Sequence, residues 1–167
     1  QCDQHPDAPA LISPNETLSY KELEAQANQL ALYLRSLGAG PGKFLGIYMD
    51  RGKLPILAIL ATLKSGATYV PIDPAFPVDR IKHIVEETNL SFLLTESSLA
   101  ARTGDFFSGT VLPLDLKQEE LAAFPHRRLR LRPGRTDLPA ARGSAADFGA
   151  DGRYPRSRRR AQGRGRR

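Results

Sequence analysis

Two charged loops follow apolar runs at points where strands would end, and their residue types could do chemistry. Asp50-Arg51-Gly52 comes after an apolar run at residues 44–49, and Asp73-Pro74 comes after another at 68–72. Open α/β sheets bind ligands at the carboxyl ends of their strands, so both loops are candidates for a binding edge. Most such loops only turn the chain. We therefore assign no catalytic, cofactor-binding or metal-binding role to Asp50 or Asp73.

A histidine near two glutamates is the second candidate. His83, Glu86 and Glu87 fall within one apolar-periodic segment. Zinc sites use several Cys and His residues at defined spacings, and His83 has neither a cysteine nor a second histidine at such a spacing. The sequence therefore favours a solvated helix face over a metal site.

The third candidate is a concentration of arginine near the end of the sequence. Residues 125–167 hold 14 Arg, no Lys and 3 Asp, a net charge of +11, whereas residues 1–124 carry a net charge of −5. Runs such as those at 157–160 and 163–167 can bind phosphate backbones through charge alone. Within residues 125–167, Phe148 and Tyr154 are the only aromatic residues that could stack on bases. Nucleic-acid binding by this segment would be non-specific.

The composition of residues 125–167 also changes abruptly. Arg, Gly, Ala and Pro make up 30 of the 43 residues, and Ile and Val are missing. Such a segment cannot bury enough apolar surface to offset its ordering entropy, so we predict a disordered tail. All four residues have codons whose first two bases are G or C, so GC-rich DNA read out of frame yields this mixture. A selected basic arm would use Lys as well as Arg. Both facts favour a shifted reading frame or an unspliced intron as the origin of the tail.

The elements that must position the loops alternate between strands and helices. Apolar runs predict strands at 44–49, 68–72, 91–95 and 110–114, and a hairpin is predicted from 10–13 and 17–20. Helices are predicted between them at 78–88, 97–102 and 116–123. This alternation predicts an α/β layered sandwich with a mainly parallel sheet over residues 1–124.

Two further helices carry stronger local signals. Ser19 and Glu22 form a capping-box pattern before a helix whose apolar residues recur every three or four positions, up to Leu37. A second helix begins near Pro55 and ends at Gly66, and it is apolar on nearly every side. We expect that second helix to be buried.

Several classes of protein are excluded or disfavoured. The sequence has no phosphate-binding loop of the G-x-x-x-x-G-K-S/T kind and no G-x-G-x-x-G. Its single cysteine, Cys2, cannot form an internal disulfide and suits a reducing compartment, so we expect a cytoplasmic protein. No apolar run approaches the roughly 20 residues that span a bilayer. Because the chain begins at Gln1 and its one methionine is Met49, we expect a piece of a longer protein.

Two motifs resemble those of the adenylation domains of non-ribosomal peptide synthetases, members of the adenylate-forming, AMP-binding superfamily. L-S-Y-K-E-L at residues 18–23 is similar to that family's L-S/T-Y-x-E-L, and L-K-S-G-A-T-Y-V-P-I-D-P at 63–74 is similar to its L-K-A-G-x-A-Y-V-P-I-D-P. Order and spacing agree across residues 5–115. The V-P-I-D-P form favours synthetase modules over acyl-CoA ligases.

The resemblance implies an activity and its cofactors. The family activates an amino acid with Mg-ATP as an acyl-adenylate and then loads it onto the phosphopantetheine thiol of a carrier protein. Its nucleotide-binding and catalytic motifs follow the two motifs present here, and they do not occur in this sequence. We therefore expect an N-terminal fragment that is inactive alone and binds ATP and Mg poorly. Whether to call it an enzyme stays open.

Two other interpretations are compatible with the residues. The first is a nucleic-acid-binding protein whose α/β body carries the basic segment, and the second is a non-catalytic interaction module. A salt titration of nucleic-acid binding would distinguish the first from the others, because contacts to phosphates weaken steeply with salt.

Overall fold

The chain begins with a small antiparallel hairpin. In the computed structural model, which describes residues 1–13 and 16–126, β1 (Pro9–Ser13) pairs with β2 (Glu16–Ser19), and Ser13 lies opposite Glu16. This pairing confirms the predicted hairpin, although its tip at residues 14 and 15 lies outside the described residues. All but the first two residues of the predicted disordered tail lie outside them too.

Four parallel strands form the main sheet. They are β3 (Phe44–Tyr48), β4 (Thr68–Ile72), β5 (Phe92–Thr95) and β6 (Thr110–Pro113), in the spatial order β4-β3-β5-β6. All three pairings are parallel, which confirms the predicted sheet. Pro71 has no N–H to donate, and it is tolerated because β4 is an edge strand within the described part of the chain.

Helices connect the strands at the predicted places. They are α1 (Tyr20–Ser36), α2 (Lys53–Ser65), α3 (Val78–Thr88), α4 (Ser97–Ala100) and α5 (Gln118–Ala122), with 3₁₀ turns at Thr103–Asp105 and Leu114–Leu116. Among the described residues, none of these helices is long and apolar enough to cross a membrane.

The helix ends show why the chain folds locally as it does. At the start of α1 the Glu22 amide donates to Ser19 Oγ at 3.3 Å, and the Ser19 amide donates to Glu22 Oε2 at 2.8 Å. This confirms the capping box. At the other end, Gly66 (φ 89°) and Asn89 (φ 48°) adopt the left-handed conformation that ends α2 and α3.

The sheet is covered on both faces, which completes the layered sandwich. Leu45 and Ile47 of β3 and Leu94 of β5 belong to one apolar cluster with α1 and α2. Their neighbours Tyr48 and Leu93 belong to a second cluster with Ile81 of α3. Alternate side chains along each strand therefore pack into two separate cores, as expected for a parallel sheet between helices.

The prediction that α2 is buried on nearly every side is wrong. Ile56 and Leu63 leave 37% and 50% of their surface exposed, while Ala58 and Ala61 are fully buried. The reason is that α2 packs mainly against α1, β3 and β4, which cover one side of it. Leu37, the last apolar position of the predicted pattern in α1, is instead its C-terminal cap and is 39% exposed.

Candidate functional site

The structure brings the two predicted loops together at the carboxyl edge of the sheet. Because β3 and β4 are hydrogen-bonded neighbours, Asp50-Arg51 and Asp73-Pro74 lie side by side. Both loops line one shallow depression of about 480 Å³, together with Met49, Pro71 and Ile72. The depression is lined by two carboxylates and one guanidinium.

Asp73 shapes the turn that follows β4. Its Oδ1 accepts a hydrogen bond from the Ala75 amide at 2.8 Å, and its carbonyl accepts one from the Phe76 amide at 3.0 Å. Arg102 Nη2 donates to the carbonyl of Pro74 at 3.5 Å. These contacts give the Asp73 carboxylate a structural role, and such self-capping turns are typical of aspartate.

Two further carboxylates at the same edge were not predicted as site residues. Glu96 follows β5, and Asp115 follows β6. The Ser97 amide donates to Asp115 Oδ1 at 2.8 Å, and the Ser97 hydroxyl donates to the other oxygen of the same carboxylate. With Asp50 after β3 and Asp73 after β4, all four strands of the main sheet are therefore followed by an acidic residue.

The surroundings of Glu96 and of Asp115 shift the pKa of each carboxyl in opposite directions. Partial burial raises the pKa of Glu96 above its ordinary value of 4.5, and the negative charges of Asp50 and Asp115 raise it further. The hydrogen bond from the Ser97 hydroxyl lowers the pKa of Asp115. Ionised Glu96 is thus less favourable in the folded protein than in the unfolded chain.

We expect Glu96→Gln to raise the melting temperature slightly at pH 7. A raised pKa in the folded state means that the Glu96 carboxyl favours folding when protonated and loses that advantage as pH rises through its folded pKa. The gain in melting temperature from the neutral glutamine should therefore vanish at pH values below 4.5, the ordinary pKa of a glutamate carboxyl. Melting curves of both proteins at pH 7 and pH 4 measure this. Glu86→Gln, at an exposed position on α3, controls for the loss of one negative charge, and an equal rise in both variants would contradict the expectation.

His83 lies on the exposed face of α3. Its Nε2 is 3.5 Å from Glu87 Oε1, and both side chains are 69% exposed. This confirms the solvated helix face. Within residues 1–13 and 16–126, no group of three or more His, Cys, Asp or Glu side chains is arranged to hold a metal ion.

A larger cavity, of about 530 Å³, lies between α1, α2 and the segment from Leu114 to His126. Two amide side chains of α1 hold the end of that segment. Gln29 Nε2 donates to the carbonyl of Phe124 at 2.9 Å, and Asn28 Nδ2 donates to the carbonyl of His126 at 3.2 Å. Neither amide was singled out from the sequence.

Comparison with known proteins identifies the family. A model of the family described as AMP-binding enzyme matches residues 1–137, most of the chain. The chain belongs to the AMP-binding enzyme family. Gramicidin S synthase 2 of Brevibacillus brevis is 43% identical over 120 residues, which are 72% of this chain and 3% of that protein. Surfactin synthase subunit 3 of Bacillus subtilis (strain 168) is 38% identical over 124 residues, 72% of this chain and 10% of that protein.

Two solved structures share the fold. The nonribosomal peptide synthetase FmoA3, in its alpha-methyl-L-serine-AMP bound form, superposes with a TM-score of 0.69 at 29% identity, covering 77% of this chain and 14% of that chain. Apo MatB from Rhodopseudomonas palustris, at 17% identity and a TM-score of 0.67, shows the fold alone. The α/β layer is thus the N-terminal part of a nonribosomal peptide synthetase adenylation domain, and it spans a small fraction of these relatives.

The two family motifs have structural roles in this chain. Residues 18–23 contain the capping box that begins α1. Residues 63–74 run from the last turn of α2, through the left-handed Gly66 and strand β4, into the turn that Asp73 caps. The contacts observed in both motifs determine where helices and strands begin and end. The family match also extends past residue 124, and the domain boundary drawn there stays a prediction.

Proposed function

We propose that this chain supplies the N-terminal α/β layer of a domain that activates an amino acid with Mg-ATP. The product is an acyl-adenylate with release of pyrophosphate, and the acyl group then passes to the phosphopantetheine thiol of a carrier protein. The observation that carries the proposal is the likeness to FmoA3, whose solved form holds an aminoacyl-AMP. The similarity to gramicidin and surfactin synthases supports it.

The described residues do not fit the phosphates of ATP by themselves. The carboxyl edge presents Asp50, Glu96 and Asp115, and the pKa of Glu96 is raised by partial burial first and by the charges of Asp50 and Asp115 second. A triphosphate would add like charge there. Catalysis of adenylate formation needs donors and cations aimed at the phosphates and at the developing charge. We therefore propose that the chain acts as scaffold within a larger domain and is inactive alone.

The test is amino-acid-dependent ATP–pyrophosphate exchange. We expect the isolated chain to stay at background with each of the proteinogenic amino acids and with alpha-methyl-L-serine, because the phosphate-binding groups are missing. Adding the remainder of FmoA3, without the stretch that matches this chain, should restore exchange with alpha-methyl-L-serine. Exchange by the isolated chain that disappears in Asp73→Ala would contradict the proposal, since Asp73 would then belong to a complete active site.

Two finer points belong to the same proposal. We place the protein in the cytoplasm, which suits its single cysteine. The arginine-rich residues 125–167 are proposed to have no part in adenylation, and their out-of-frame origin stays a prediction. A non-specific nucleic-acid partner for that segment has its net charge of +11 as its only support.

A further inference from the structure

The segment at residues 117–126, which we call the strap, forms one wall of the larger cavity. It contains α5, and the facing wall belongs mainly to α1 and α2. The residues of the strap that line the cavity are Gln118, Leu121, Ala122 and His126. No residue of α5 is buried, and Leu121 and Phe124 pack only partly buried against the core. The strap therefore covers the cavity from the surface of the protein.

Three side chains of α1 hold the strap in place. Gln29 Nε2 donates to the carbonyl of Phe124 at 2.9 Å, and Asn28 Nδ2 donates to the carbonyl of His126 at 3.2 Å. The ring of Tyr33 meets the ring of Phe124 edge to face, with the two centroids 5.8 Å apart. Within the part of the chain that the structure describes, the strap pairs with no β-strand. Its attachment to the layer therefore depends on a few contacts with one helix.

These contacts allow the strap to open while the layer stays folded. α5 has five residues, and a helix of that length is not stable without packing. By contrast, α1 has 17 residues and a capping box, and it buries Leu30 and Leu34. Segments with few buried apolar contacts open locally at a lower free energy than the core. Loss of the contacts to α1 would therefore release the strap and leave α1 in place.

The cavity behind the strap suits a small uncharged molecule. Its volume of about 530 Å³ falls within the size range of small-molecule pockets. The apolar lining residues are Leu30, Leu54, Leu57, Leu114 and Leu121. The lysine and the carboxylate of the lining are already paired, because Lys53 Nζ lies 2.6 Å from Glu16 Oε2 and Asp115 accepts from the Ser97 amide. Leucines, glutamine amides and one imidazole are left to contact a ligand, and this lining favours an apolar molecule with few polar groups.

We propose that the strap is a lid on a binding site for a small uncharged apolar molecule, with Gln29 as its latch. Because the strap forms one wall of the cavity, its opening exposes the leucines behind it to solvent. Gln29 lines the cavity and also binds the carbonyl of Phe124. A molecule in the cavity would therefore contact the latch itself. The lid and its site do not depend on the proposed part in adenylation.

The test compares two rates in the full chain. The first is hydrogen–deuterium exchange at the amides of Leu121 and Phe124, which are hydrogen-bonded within the strap. The second is association of Nile red, an uncharged apolar dye. Both processes need the open strap, so both rates scale with its population. We expect Gln29→Ala to raise both by the same factor, roughly fivefold, because a hydrogen bond of the latch is lost. Exchange in β5 should not change.

Two further variants and a control make the test specific. Gln26→Ala removes an amide from the same helix and the same cavity lining without a hydrogen bond to the strap, and it should change neither rate. Phe124→Ala loosens the lid from its own side and tests the proposal even where Gln29→Ala does not fold. Ala122→Trp places a large ring at an exposed residue that lines the cavity, and it should weaken Nile red binding. Circular dichroism checks the fold of each variant.

Matched increases of the two rates in Gln29→Ala or Phe124→Ala support the lid. Strap amides that exchange as slowly as those of β5 in the unsubstituted chain overturn it, because the strap would then open only when the whole layer unfolds. Equal acceleration of the strap and of β5 in both variants overturns it as well. Faster exchange without faster dye association contradicts the binding site behind the lid, and so does Nile red binding that is undiminished in Ala122→Trp.

Discussion

Replacing Leu94 with alanine is expected to remove a large share of the free energy of unfolding of the α/β layer. Leu94 is fully buried in β5, between β3 and β6, and it belongs to the core cluster that joins the sheet to α1 and α2. Buried Leu→Ala substitutions cost about 2–5 kcal/mol, through lost transfer energy and the cavity left behind. Whole domains are stable by only about 5–15 kcal/mol.

Thermal unfolding followed by circular dichroism measures this loss. The melting temperature should fall by roughly 10 °C or more, since each kcal/mol is worth several degrees in a domain of this size. Leu116→Ala removes the same atoms from a side chain that is 68% exposed, and it should change stability by about 0.5 kcal/mol or less. Equal melting temperatures for the two variants would mean that β5 is not central to the core.

The effect should extend to the carboxyl edge of the sheet. Thr95, the residue after Leu94, is fully buried, and its Oγ1 donates a hydrogen bond to the carbonyl of Tyr48 at 2.8 Å. That bond ties the end of β5 to the end of β3, next to Glu96 and Asp50. A loosened β5 would therefore disturb the spacing of the acidic residues that follow the strands (Asp73, Asp50, Glu96 and Asp115, here called the acidic edge) as well as the core.

The parts of the fold that were predictable are those with local causes. Ser19 and Glu22 stand three residues apart, so their capping box could be predicted without knowledge of any other element. Gly66 and Asn89 are residue types that adopt the left-handed conformation, and both end helices in it. Apolar runs likewise predicted all four strands of the main sheet to within a residue or two.

The acidic edge could be predicted only in part, because it depends on strand order. Asp50 and Asp73 follow consecutive strands, and the pairing of β3 with β4 brings them together. Glu96 and Asp115 join Asp50 only because β3 and β6 lie on the two sides of β5. No short-range pattern encodes that order. The amides of Asn28 and Gln29 were missed for the same reason, since their partners are backbone carbonyls far along the chain.

The error over α2 has a different cause. The sequence of α2 shows correctly which faces of the helix are apolar. Burial depends also on what lies opposite each face. Ile56 and Leu63 are exposed although their side of the helix is as apolar as the buried side. The apolar composition of α2 therefore predicts burial that the described residues do not provide at Ile56 and Leu63.

Gly46→Val is expected to destabilise the protein by overpacking the second apolar cluster, which lies between the sheet and α3. Gly46 is in the middle of β3, and a Cβ added there would lie 2.7 Å from Cδ1 of both Leu90 and Leu93 and 3.4 Å from Cδ1 of Ile72. Those side chains belong to the cluster that packs against α3. Valine would bring two more methyl groups into this space, and overpacking of this kind costs roughly 1–3 kcal/mol or more.

Urea unfolding of Gly46→Val and Gly40→Val separates overpacking from the general effect of adding a side chain. A Cβ at Gly40 would meet nothing within 4 Å, so that variant should unfold at or above the midpoint of the unsubstituted protein, because glycine loses more backbone entropy on folding. At Gly46 the same entropy gain, and the preference of valine for strands, work against the clash. If the urea midpoint falls for Gly46→Val and not for Gly40→Val, the difference therefore measures the steric clash at Gly46. A raised midpoint would show that Leu90 and Leu93 can rotate away without loss, and that α3 packs on this sheet more loosely than the structure indicates.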